Sequence, residues 1–172
     1  MPFAYYDRLS PARKRIYRRS DGIGSLPIPP ALDLDGDVAG LRGALASDAR
    51  SLVQRHAQAI VDGLVAAYHV PPVRVRVLAR RPSDDYGELH GFYEPGDGRV
   101  RARITVWMRT AQKRQVVAFK SFLRTLCHEV CHHLDYELFA LEETFHTEGF
   151  YKRESALANA LLAMLPPGID GG

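Results

Sequence analysis

The chain has 172 residues, of which 46% are hydrophobic and 25% charged, with a formal net charge of +3. That length suits one domain with a core of ordinary proportions. No apolar run approaches the length of a membrane span, and two cysteines four positions apart, Cys127 and Cys131, build no disulfide framework.

The first twenty residues lack the apolar core of a secretory signal. With no disulfides expected, the chain reads as intracellular, in the cytoplasm. Its charge is unevenly spread. Arg8, Arg13, Lys14, Arg15, Arg18 and Arg19 face only Asp7 near the start, and the stretch from Val73 to Arg124 is also basic, whereas from Thr125 onward only Lys152 and Arg153 oppose a run of acids. A basic N-terminal region and basic strands make nucleic acid a candidate partner beside a protein or peptide substrate. No membrane partner is expected.

Taken in order, Ser10 followed by Pro11 is a helix start, a capping residue before a proline at the first helical position. Residues 21–40 are rich in Gly, Pro and Asp, so residues 1–40 are expected to form a basic helix or arm followed by a wrapping loop. Asp33 to Asp37 resembles a calcium loop only superficially, because the terminal Glu and the fixed Gly spacing are missing. From Asp37 or Gly40 to Tyr68 apolar residues recur every three or four positions, which predicts one long amphipathic helix. His56 and His69 are read as ordinary histidines.

Pro71-Pro72 ends that helix, and Val73 to Leu78 alternates apolar and basic residues with the period of a strand. A turn at Pro95-Gly96-Asp97-Gly98 joins Leu89–Glu94 to a second strand from Arg99 to Met108, with Val100, Ala102, Ile104, Val106 and Met108 on one face. Gly91 permits close backbone approach. Gln112 to Phe139 is the next helix, buried along Val116, Phe119, Phe122, Leu123, Leu126 and Val130, with Cys127 and Cys131 as small core residues. Thr147 to Met164 is the last, stopped by Pro166-Pro167-Gly168. This order predicts an α+β domain over residues 41–172. A small antiparallel or mixed sheet packs on the penultimate helix, between a long N-terminal helix and a C-terminal one.

That penultimate helix carries His128-Glu129-x-x-His132. At about 3.6 residues per turn, residues four apart stack on one face, so His128 and His132 can offer two imidazole nitrogens to one ion. Glu129 is rotated by about 100° and can act on water beside the ion. This is the arrangement of a zinc hydrolase. Such a site needs a third protein ligand, and the chain offers two, His146 and Glu154. Asp135, three residues past His132, is placed to accept from an imidazole's second nitrogen. His133 has no assigned role, and Tyr151 is expected to pack near the metal.

His128-Glu129-x-x-His132, thirteen residues, then His146-x-x-x-Phe150 resembles the pattern of the SprT-like zinc metallopeptidases, over roughly Ile104 to Leu165. The resemblance implies a zincin-like fold, Zn2+ held by His128, His132 and His146, Glu129 as the base, and Phe150 packing the helix that carries the third ligand. It implies peptide-bond hydrolysis. Two alternatives stand beside it: a gluzincin-type peptidase with Glu154 as third ligand, and a non-catalytic zinc-containing module that binds nucleic acid or protein.

Overall fold

The computed structural model describes residues 1–84 and 87–167. After a 3-10 turn at Ala4–Arg8 come α1 (Pro11–Gly22), α2 (Asp35–Ala46) and α3 (Arg50–Ala67). Strands β1 (Val73–Arg80), β2 (Ser83–Asp84), β3 (Gly87–Glu88), β4 (Gly91–Glu94) and β5 (Ala102–Arg109) precede α4 (Phe119–Glu137) and α5 (Glu148–Leu162). Among the described residues the class is α+β, with five α-helices and a small mixed sheet. None of the described helices is long and apolar enough to cross a membrane.

The local signals explain several boundaries. Ser10 accepts a hydrogen bond from the Arg13 amide at 3.2 Å, and Thr147 from the Phe150 amide at 2.9 Å, so both helices start on side-chain caps. The expected single helix up to Tyr68 is instead two, α2 and α3. Asp48 adopts a left-handed φ of 54°, the Asp48 amide bonds to Leu45 O, and the Ala49 amide to Ala44 O. That is a Schellman closure made without glycine, and the apolar period resumes in phase on the far side, which is why the pattern read as continuous. Because α2 begins at Asp35, the expected wrapping loop is confined to residues 23–34.

The three-stranded sheet has the order β1-β5-β4, β1 parallel and β4 antiparallel to β5. Val73, Val75, Val77, Ala102, Ile104, Val106 and Met108 are buried and join the helices in one core. Val100, expected on that face, is 67% exposed in the turn before β5, where Asp97 Oδ1 accepts from the Arg99 and Val100 amides. The expected loop around Ser83–Glu88 contains the short β2–β3 pair. The helix expected from Gln112 begins at Phe119, because the chain first turns back so that Val116 bridges to Arg109.

The outer edge of β1 is occupied. Gln54 and Gln58, one turn apart on α3, bond four of its backbone groups: Val73 O, Val75 N, Val75 O and Val77 N. Within the three-stranded sheet β4 is the other edge strand, no described residue pairs with its outer side, and it lies against α4.

Candidate metal centre

Helix α4 buries Phe122, Leu126, Cys127, Val130, Cys131 and Leu134, which turns His128 and His132 toward the rim. At its end Ala140, with φ 51°, reverses the chain. The following loop crosses back over the same helix before α5 begins, bringing His146 to the two α4 histidines. The three Nε2 atoms are mutually 3.0, 3.2 and 3.1 Å apart. His128, His132 and His146 therefore lie close enough to hold one metal ion.

The second ring nitrogens say which atoms face the centre. Nδ1 of His128 lies 2.6 Å from Oε1 of Glu154 and donates to it. Nδ1 of His132 lies 2.7 Å from Thr144 Oγ1, whose own proton goes to Asp135 Oδ2 at 2.8 Å, so the threonine accepts from the imidazole. Both rings are thereby set with a lone pair on Nε2. Burial pushes the His132 pKa down to about 3, with His128 and His146 acting in the same direction, and that keeps the ring in its neutral, metal-binding form. Acceptors this close repel one another unless a cation lies between them. A spacing near 3 Å also lets all three come within the usual Zn–N length of about 2.0–2.1 Å from one point. The residues present fit such an ion.

Phe150 is the floor. Fully buried, its ring centroid is 5.0 Å from that of His128, 4.8 Å from His132 and 5.3 Å from His146. Glu129 is 5% exposed, and its side chain lines the cleft beside His128. Burial raises its carboxyl to about 7, with His128 opposing the rise and Glu154 adding to it. It can thus take up and release a proton near neutrality. Gly91 makes room for it: a Cβ there would stand 2.7 Å from Glu129 Oε1 and 2.8 Å from Thr125 Cγ2.

No family model, no curated protein and no solved structure matches this chain. What the site can do is therefore read from its own atoms.

The remaining expected residues are placed as follows. Glu154 stays outside the triangle, on the far nitrogen of His128. Spacing led to the expectation that Asp135 accepts directly from an imidazole; instead it accepts from Thr144, which meets His132, and its Oδ1 pairs with buried Arg153 at 2.9 Å. His133 faces away from the centre. Its Nε2 donates to Pro71 O at 2.7 Å, and its Nδ1 accepts from Tyr93 O–H at 2.8 Å, tying β4 to α4. Tyr151 is 40% exposed, its ring 6.2 Å from His128 and 5.9 Å from His146. Sequence reading missed Thr144, Tyr93 and Tyr136. The two tyrosines stack at 6.1 Å, and Tyr93 also stacks on His132 at 6.3 Å. No spacing rule joins a loop threonine to a helix histidine twelve residues earlier.

Two adjoining clefts meet at the site. One, of about 300 Å³, is lined by His90, Arg124, Thr125 and Glu154, the other, of about 280 Å³, by Phe92, Tyr93, Tyr136 and His146. Both include Gly91, His128 and Glu129. The groove thus runs past the three histidines on both sides, along β4.

Proposed function

We propose that this chain is a zinc-dependent metallopeptidase of the SprT-like kind with a zincin-like fold, hydrolysing peptide bonds at His128, His132 and His146. The observation that carries this reading is the triangle of Nε2 atoms with Glu129 beside it in an open groove. Among the described residues three imidazoles and no fourth side chain form the cluster, which is the donor set of a catalytic site, whereas a structural zinc is closed by four protein ligands.

Zn2+ held by His128, His132 and His146 would supply a Lewis acid to polarise the scissile carbonyl and acidify water. Glu129 accepts the proton of the attacking water on a carboxylate oxygen and, once the C–N bond breaks, returns it to the leaving amine. Glu154 and Thr144 hold two of the ligand rings in the tautomer the site needs. The free edge of β4 suits an extended peptide, which gains main-chain hydrogen bonds as an added strand. The β1 edge is closed to such a partner by Gln54 and Gln58.

The decisive experiment is Glu129→Gln. Zinc content should stay at the wild-type level while cleavage of an unfolded protein substrate falls by about 10²- to 10⁴-fold. Undiminished turnover in that variant would refute the role.

A nucleic-acid partner is a second element of the proposal, supported by one observation. Arg74, Arg99, Arg101 and Arg103 line a cleft of about 530 Å³ with Glu94 and Asp97. Both acids are already engaged, Glu94 with Arg103 and Asp97 with its own turn. Arg74→Glu and Arg101→Glu should each weaken DNA binding and flatten its salt dependence.

A further inference from the structure

His128 and His132 are each oriented through a second ring nitrogen. His146 is not: among the described residues no acceptor meets its Nδ1, and it belongs to a loop rather than a helix. The loop is pinned on either side of it. Thr144 is held by His132 and Asp135, while Thr147 Oγ1 lies 3.2 Å from Ser20 Oγ. Between these anchors the polar contact on His146 is made to its own backbone, where Tyr5 O–H donates to the His146 carbonyl at 2.6 Å from 141 residues away.

Tyr5 is the centre of a larger attachment. Its ring stacks on Phe145 at 6.5 Å and meets Tyr17 edge-on at 5.7 Å. Arg13 bonds Glu143 through Nε at 2.9 Å and Nη2 at 2.9 Å, with its guanidinium 5.2 Å over the Phe145 ring, and Arg19 bonds Glu142 at 3.1 Å. The Tyr5–Tyr17 contact joins the N-terminal turn to α1, and the others run from these two elements to the loop that carries His146.

We propose that Tyr5 is a positioning residue for the third ligand, and that the N-terminal turn and α1 together form a strap that sets the metal affinity of the site. A ligand on a loop binds an ion in proportion to how far its backbone is already ordered, since ordering it on binding costs conformational entropy. The Tyr5 hydroxyl removes that cost at His146. The inference rests on the metal-site reading above.

The test measures zinc and cobalt affinity of the full chain by competition with a chromophoric chelator, alongside the urea midpoint of the metal-free protein. Tyr5→Phe keeps the ring packing and loses only the hydroxyl. It should bind zinc about threefold to tenfold more weakly, with a weaker cobalt absorption band and a metal-free midpoint lowered only by the loss of one hydrogen bond. Tyr6→Phe is the control, because its hydroxyl accepts from Arg18 within the same segment and does not reach the loop. It should behave as wild type. Wild-type affinity in Tyr5→Phe, or an equal loss in both variants, overturns the inference and leaves the metal site standing. A wild-type chain that binds neither metal overturns both.

Discussion

Oε1 of Glu154 on α5 lies 2.6 Å from Nδ1 of His128 on α4. A carboxylate in that position orients the ring and makes it a better donor. It cannot at the same time take the place of a third ligand on the opposite nitrogen.

The two roles separate by mutation. Glu154→Gln should retain metal with affinity lowered by about 10- to 100-fold, and the bound cobalt should keep the spectrum of a three-histidine site. His146→Ala should change that spectrum and lose more affinity. The reverse ranking in a chelator titration would make Glu154 the ligand.

Gly91 lets β4 approach α4. In Gly91→Ala the new methyl would meet Glu129 Oε1 at 2.7 Å and Thr125 Cγ2 at 2.8 Å. Relief requires either a turned Glu129 or a displaced strand. Overpacking of this kind costs about 1–3 kcal/mol. Activity should fall with metal content unchanged, and the urea midpoint should drop. Wild-type activity in this variant would show that Glu129 need not sit where β4 holds it.

Arg153 and Asp135 form a pair that is 1% and 0% exposed in its side chains. Arg153 also donates to Ser20 O at 2.8 Å and Ile23 O at 2.5 Å, so one guanidinium joins α1, α4 and α5. Arg153→Leu strands a buried carboxylate and should destabilise the protein by about 3–5 kcal/mol. Chemical denaturation of the metal-free protein measures it. A change within error would mean that water reaches Asp135 as soon as the arginine is gone.

Acid sensitivity has an origin away from the three clustered histidines. Glu88 accepts from the Ala111 amide at 2.5 Å and from Arg81 at 3.4 Å. The Ala111 bond holds its carboxyl below the ordinary range, with burial opposing and Arg81 reinforcing. Its folded pKa is thus lower than its unfolded value of about 4.3. The unfolded chain binds the proton more tightly, so this contribution is complete above the unfolded pKa and is lost as pH falls through the folded one. Glu88→Gln should flatten the stability profile below about pH 5 and leave its shape above that unchanged. Parallel wild-type and variant profiles down to pH 3 would contradict it.

Much of this was legible in the chain, for local reasons. Four-residue spacing puts His128 and His132 on one face of any helix and turns Glu129 aside, whatever surrounds that helix. Alternation marked β1 and β5, and Ser10-Pro11 marked the start of α1. The break at Asp48 was not legible, because a Schellman closure built on aspartate carries no glycine or proline signal and the apolar phase survives it.

By itself the sequence determined the pair of α4 histidines, the carboxylate beside them, the main strands and the candidates for a third group. Only the tertiary structure decided between His146 and Glu154 as the group facing the other two histidines. It also decided that Asp135 works through Thr144, that α3 closes one sheet edge while β4 keeps the other, and that Tyr5 reaches His146. The physical reason is range. Helical and strand periodicity is set by each residue's immediate neighbours, whereas these contacts join segments up to 141 residues apart and exist only once the core has brought them together.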